Sequence, residues 1–172
     1  VSTQIKAPVC AFSAYTLESP QSKYVLAGLP PGKYQVTYQD CNGDNYQSAE
    51  YGSGLEVTVT AGKITSGVSA VLQPGGEISG IVKNTGSVPL SYICVAAIGE
   101  FQPQAALTDT AFGAYSFIGL LPNTAYEVEF YTCGAGNYSS QWWNGAPTQA
   151  TATPFTVTAG SPVTNIDATM TS

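Results

Sequence analysis

Apolar and polar residues alternate with a period of two in several short runs. Tyr34, Val36 and Tyr38 alternate with Lys33, Gln35 and Thr37, and Tyr126, Val128 and Phe130 alternate with Glu127, Glu129 and Tyr131. Leu55, Val57 and Val59 alternate with polar neighbours, as do Phe155 and Val157. Successive side chains of an extended chain face opposite sides, so each run predicts a half-buried antiparallel strand with one apolar face. Gly, Pro and Asn bound the runs, as tight turns require. No stretch carries the periodicity of an amphipathic helix, and the pattern predicts an all-β chain.

The runs recur in register. Residues 24–46 read YVLAGLPPGKYQVTYQDCNGDNY, and residues 115–138 read YSFIGLLPNTAYEVEFYTCGAGNY. Tyr24 matches Tyr115, Gly28 matches Gly119, Leu29 matches Leu120 and Pro31 matches Pro122. After one inserted residue, Tyr34 matches Tyr126, Val36 matches Val128 and Cys41 matches Cys133. Val57–Gly62 (VTVTAG) matches Phe155–Gly160 (FTVTAG), and Gly67–Leu72 aligns with Asn165–Met170 as a closing strand. A period of about 90 residues suits a small β-sandwich and exceeds a solenoid unit. The expected architecture is two tandem antiparallel sandwiches of Ig-like or prealbumin-like type, residues 1–73 and 74–172. Gln73-Pro74-Gly75-Gly76 forms the linker.

The cysteines follow the repeat. Cys10 and Cys94 sit in matching apolar runs, while Cys41 and Cys133 close matching strands. Four cysteines allow three connectivities, and the repeat selects Cys10–Cys41 and Cys94–Cys133, one bridge per copy. A four-thiolate metal site would lack any CxxC spacing and would draw on both copies. Disulfides place the chain in an oxidising, extracellular or cell-surface compartment.

Charge narrows the function further. Charged residues make up 9% of the 172, and the net charge is −6; soluble domains usually carry about 25%. All five cations are Lys, with no Arg and no His. Nucleic acid is excluded as a partner, because its phosphates need clustered cations and Arg forks. Triads of the Ser-His-Asp type and His-ligated metals are excluded with the histidines. No apolar run approaches the roughly 20 residues that span a bilayer. The chain reads as a non-enzyme without a cofactor.

Gly113-Ala114-Tyr115-Ser116-Phe117-Ile118-Gly119-Leu120-Leu121-Pro122, followed by Tyr126-Glu127-Val128-Glu129-Phe130, resembles the G-x-Y-x-F-x-G-L-x-P-x-x-Y-x-V core of carboxypeptidase regulatory-like domains. These are similar in turn to Cna-B-type and transthyretin-like sandwiches. Ile78-Ser79-Gly80-Ile81-Val82 resembles that family's first strand, and Ser87-Val88-Pro89-Leu90 the step before its second. Copy two has one extra residue between Pro122 and Tyr126, whereas copy one keeps the spacing. Asn137–Gly145 resembles a loop common in tandem copies of the domain in secreted bacterial proteins. The resemblance implies stalks, adhesion modules, filament components or accessory modules, with no shared active site.

Nothing in copy one corresponds to Glu77–Lys83, so its first strand is missing from the sequence. That strand lies upstream, or the connectivity differs, or a neighbouring subunit supplies a strand, which is a known recognition mode. The alternating Val1, Thr3 and Ile5 form a candidate inserting segment.

Trp142 and Trp143, with Tyr138 nearby, are the candidate ligand or interface residues. One Trp of an adjacent pair faces inward and the other outward, where an aromatic face stacks on sugars or anchors a partner. The competing reading is packing within the sandwich. Asp40, Asn42 and Asp44 have the spacing of a calcium loop's start, but Tyr51 stands where the bidentate Glu belongs. Such residues more often make a turn. Lys83 with Asn165 or Asp167, near Glu127 or Glu129, has the residue types of a Cna-B isopeptide crosslink, set against ordinary solvated residues. Asn137-Tyr138-Ser139 is an N-glycosylation sequon. The expected function is structural: a subunit or stalk of an extracellular filament or surface layer, assembled by β-edge or strand-exchange contacts. The alternative is a carbohydrate-binding or adhesion module of a larger secreted protein. Expected partners are further copies, neighbouring domains or a glycan.

Overall fold

The computed structural model describes residues 14–16, 19–40, 43–100, 104–108, 112–134 and 136–172. Cys10, Cys41 and Asn42, and with them the Cys10–Cys41 pairing, lie outside the described residues, as do Val1, Thr3 and Ile5. The described chain is built of strands in several sheets, as the period-two pattern predicts. Its helical structure is limited to short 3₁₀ turns at Tyr51–Ser53, Trp143–Gly145 and Gln149–Thr151.

Two compact units are formed. One comprises Val1–Val36 with Tyr51–Ser69, and the other Thr37–Glu50 with Ala70–Ser172. The first contains β1 (Ala14–Thr16), β2 (Ser19–Lys23), β3 (Gly32–Tyr34) and β6 (Val57–Val59). Strands β1 and β2 pair antiparallel, and so do β3 and β6. The second unit contains β4 (Thr37–Tyr38) and β5 (Ala49–Glu50), paired with each other, and β7 to β14.

Two larger sheets make up most of the second unit. Strand β7 (Gly76–Asn84) lies between β10 (Ala114–Leu120), antiparallel, and β14 (Ala168–Met170), parallel. The other sheet runs β12 (Gln141–Trp142), β11 (Ala125–Thr132), β8 (Ile93–Ile98), β9 (Gln104–Leu107), with β13 (Phe155–Thr156) also on β11. Alternation decides what each sheet buries. Tyr126, Val128 and Phe130 of β11 are buried, whereas Glu127 and Glu129 are half-buried on its opposite face. Ile78 and Val82 of β7 join them, with Tyr115 and Phe117 of β10, in one hydrophobic cluster fed by both sheets. Fully burying such side chains stabilises by about 1.5–3 kcal/mol each. The buried Thr108 hydroxyl is satisfied: Thr108 Oγ1 donates to Leu90 O at 2.7 Å and accepts from Ile93 N at 3.0 Å.

The internal repeat is visible in the pairing register. Tyr34 pairs with Val57 as Tyr126 pairs with Phe155. Thr37 pairs with Glu50 as Glu129 pairs with Trp142. A 3₁₀ turn follows each of the latter pairs, with its middle residue left-handed: Gly52 at φ 53° and Asn144 at φ 65°. The copies differ at their closing segments. Ala168–Met170 is a strand because it pairs with β7, whereas Gly67–Leu72 forms no strand. Among the described residues no strand ladders with copy one's closing segment as β7 does with β14.

Cys94 on β8 and Cys133, one residue past β11, form a disulfide with Cα atoms 5.4 Å apart. It joins two strands already paired in register, Tyr131 opposite Cys94, and closes a loop of 39 residues. The chain-entropy model assigns such a bridge about 4 kcal/mol. Replacing both residues, Cys94→Ser with Cys133→Ser, is expected to lower urea-unfolding stability of the second unit by about 3–4 kcal/mol; an unchanged midpoint would contradict this.

Candidate functional site

The most informative geometry is a tyrosine that reaches across a strand. Tyr115 stands on β10 opposite Gly80 of β7. Its ring lies over Gly80, and its hydroxyl donates to Ile166 O, just ahead of β14, at 2.6 Å. The side chain therefore bridges both neighbours of β7. A Cβ on Gly80 would collide with Ile166 O and lie 3.1 Å from Tyr115 Cε1. The strand beneath this clamp needs glycine for space, not for a left-handed φ. Phe117 and Phe130 pack edge-on to the Tyr115 ring, with centroids 5.6 and 5.9 Å away. Burial pushes the Tyr115 phenol well above its usual range, and the nearby Asp167 charge adds to the rise. Asp167 itself is engaged, accepting from Ile81 N at 2.8 Å.

The same clamp exists in copy one. Tyr24, the match of Tyr115, donates its hydroxyl to Val68 O at 2.7 Å, and Val68 is the match of Ile166. The residue before each acceptor is left-handed, Gly67 at φ 77° and Asn165 at φ 62°. A second tyrosine recurs too. Tyr34 donates to Pro30 O at 2.7 Å, as Tyr126 donates to the matching Leu121 O at 3.4 Å. Yet the inward residues around the first clamp are not covered alike. Phe117, Leu120, Val128 and Val157 are at most 3% exposed. Their copy-one matches Leu26, Leu29, Val36 and Val59 are only half-buried. Within residues 23–36 and 51–69 of the first unit Val57 alone is buried. This under-covered edge around Tyr24 and Val68 is the candidate site.

Another site, within the second unit, lies where Asn45–Gln47 meets the linker. Asn45 O accepts from Gly75 N at 2.7 Å, and Asn45 Oδ1 from Gly119 N at 2.8 Å. Gln47 N donates to Gln73 O at 2.8 Å, and Gln47 Nε2 to Pro74 O at 2.7 Å. The approach is close: a Cβ on Gly119 would lie 2.8 Å from Tyr46 O. Asp40 holds this loop, its carboxylate oxygens accepting from Gly43 N at 3.1 Å and Tyr46 N at 3.2 Å. That is turn chemistry at the calcium-like spacing, and among the described residues no group of acids, Cys or His is arranged for a metal.

Of the aromatic candidates, Trp142 is buried at 7% exposure, on β12. Trp143 and Tyr138 are half-buried against the core, with Trp143 edge-on to Phe155 at 5.1 Å. The three belong to one region but turn their rings to the protein. Asn137 of the sequon is exposed. Lys83 lies on β7 opposite Thr169, while Asn165 Nδ2 donates to Thr164 Oγ1 at 3.2 Å. Glu127 accepts from Gln149 Nε2 at 2.9 Å. Among the described residues no helix is long and apolar enough to cross a membrane. Sequence reasoning missed both the tyrosine clamp and the Asn45 junction. The clamp's signal was present, as Tyr24 matching Tyr115 and a glycine inside an otherwise apolar strand; the junction's was not, because Asn45 pairs with residues far along the chain.

Two outcomes follow from these geometries. A phenol whose pKa is raised on folding contributes stability that is intact below the unfolded value of about 10 and lost as pH rises above it. Urea stability should therefore be flat from pH 7 to 9 and fall above pH 10, with a shallower fall in Tyr115→Phe; identical slopes would refute the assignment. Gly28 and Gly119 share a left-handed φ, 73° and 69°, but a Cβ on Gly28 meets nothing within 4 Å. Gly28→Ala should thus cost about 1–2 kcal/mol, the backbone term alone, and Gly119→Ala measurably more in the same unfolding assay. Comparison with protein-family models, with curated proteins and with solved structures gives no match.

Proposed function

We propose that this chain is an extracellular structural protein: a subunit or stalk of a surface filament or layer, made of two tandem β-sandwich repeats and assembled through β-edge or strand-exchange contacts. The repeats, residues 1–73 and 74–172, are read as similar to carboxypeptidase regulatory-like and Cna-B-like domains. The observation that carries the proposal is the edge of copy one, where Leu26, Leu29, Val36 and Val59 stay half-buried around a clamp that in copy two encloses a strand. A sheet edge with incompletely covered apolar residues is a template for another strand. The Cys94–Cys133 disulfide supports an oxidising compartment. The low charge and the absence of His and Arg support a role without acid–base or phosphate chemistry. The inward packing of Trp142 and the Trp143–Phe155 contact favour a structural use of those rings over a sugar platform.

Sedimentation velocity across a wide concentration range, with negative-stain microscopy of the most concentrated samples, tests the reading. Extended assemblies or concentration-dependent association are expected. A monomer at every concentration, with binding to a polysaccharide, would overturn it in favour of an adhesion module.

A further inference from the structure

We infer that two chains of this protein associate with unlike copies facing: the lysine-bearing surface of copy one meets the acidic outer face of the β12–β11–β8–β9 sheet in copy two of the second chain. The inference rests on the self-assembly proposed above and adds to it a rule for which surfaces meet.

Charge is segregated between the two compact units. The first has four Lys against Glu18 and Glu56, a net +2. The second has nine Asp and Glu against Lys83, a net −8. The repeat shows the same divergence position by position. Copy one has Lys23, Lys33 and Lys63 where copy two has Ala114, Ala125 and Ser161. Copy two has Glu127 and Glu129 where copy one has Gln35 and Thr37. Matching positions share a pairing register, as Tyr34–Val57 and Tyr126–Phe155 do, so the ladders require neither set of charges.

Both sets are placed for contact. Lys23, Lys33 and Lys63 are exposed. Lys33 stands on β3 opposite Thr58 of β6, with Nζ 2.9 Å from Glu56 Oε2. Lys63 stands in the turn after β6, where its backbone N–H donates to Thr60 O at 3.1 Å. Glu56 offsets one of these cations, leaving Lys23 and Lys63 in excess. In copy two, Glu127 and Glu129 lie on the outer face of β11, opposite Ile98 and Ala96 of β8. Glu100 follows the end of β8 and is exposed. The one cation of copy two, Lys83, is on β7 in the other sheet, so the acidic face has no cation on its own strands.

The signs select the pairing. Copy two against copy two sets Glu127 and Glu129 against their equals, and copy one against copy one sets lysine against lysine. Only unlike copies bring opposite charges together. Like charges across an interface penalise a wrong partner, and opposite charges speed the right encounter. Each chain carries one surface of each kind. The rule therefore extends into an open row, or closes when two chains satisfy each other. Exposed charges are screened within about 8 Å at physiological salt and about 3 Å at 1 M, so the contact is salt-sensitive in a way that apolar burial is not.

Sedimentation velocity of the intact protein in low and in about 1 M NaCl, with two charge-reversed proteins, tests the rule. One variant carries Lys23→Glu with Lys63→Glu, the other Glu127→Lys with Glu129→Lys. Association of the native protein should weaken roughly tenfold or more in high salt. Each variant alone should stay monomeric at concentrations where the native protein associates, with a melting curve close to the native one. An equimolar mixture of the two should associate again, because each then offers the sign that the other lacks; a misfolded variant could not give this rescue. Native association indifferent to salt, a variant that assembles by itself as the native protein does, or a mixture that stays monomeric would each overturn the pairing. If the native protein assembles but ignores both salt and reversal, the filament reading stands and the pairing falls. If association is salt-sensitive and rescued by mixing but stops at two chains, the pairing stands and the filament reading falls. A native monomer at every concentration and salt overturns both.

Discussion

Strand β7 is the element on which the second unit depends. A strand with apolar residues on one face must have both edges paired and that face covered, or it leaves backbone groups and hydrocarbon in water. β7 meets all three conditions through β10, β14 and the facing sheet. Its centre is a glycine, which forgoes side-chain packing and weakens a strand in isolation. The loss is offset because the space admits the Tyr115 ring, whose hydroxyl ties the two flanking elements together. One absent methyl group thus lets a single side chain hold both neighbours of the strand.

The two copies form a natural comparison, since they share turns, register and both tyrosine hydrogen bonds but differ in burial. In copy two, where β7 pairs with β10 and β14, the inward residues are buried to a few per cent and the closing segment is a strand. In copy one the matching residues are half-buried and the closing segment, with no partner strand among the described residues, is irregular. Intrinsic strand propensity scarcely separates Gly67–Leu72 from Asn165–Met170, so the difference lies in the partner. This is the expected behaviour of β structure, where measured preference is largely packing against neighbours.

That dependence explains what was legible beforehand. Alternation at Tyr126–Phe130 and at Tyr34–Tyr38 reports which face is apolar, and a local pattern suffices to see it. The Cys94–Cys133 bridge was legible because the repeat supplied a second instance of the spacing. The irregular state of Gly67–Leu72 was not, since a strand needs a partner and a local pattern does not report whether one is beside it. Nor was the packing of Trp142 and Trp143 decided by sequence: adjacent aromatics on a strand predict one inward and one outward ring, and here Phe155 takes up the second. Asn45 was invisible for a further reason. Its partners Gly75 and Gly119 lie 30 and 74 residues away, and a lone Asn in a turn carries no record of them.

The parallel pairing of β7 with β14 has a mechanical consequence. These are the first and last strands of copy two, and a tension applied between Gly76 and Met170 pulls them in opposite senses along their shared ladder. Parallel neighbours loaded in this way slide, so their hydrogen bonds share the load and yield together; an antiparallel terminal pair would unzip one bond at a time. The Tyr115–Ile166 bond spans the same boundary, and the residues between Cys94 and Cys133 cannot be drawn out while the disulfide is intact.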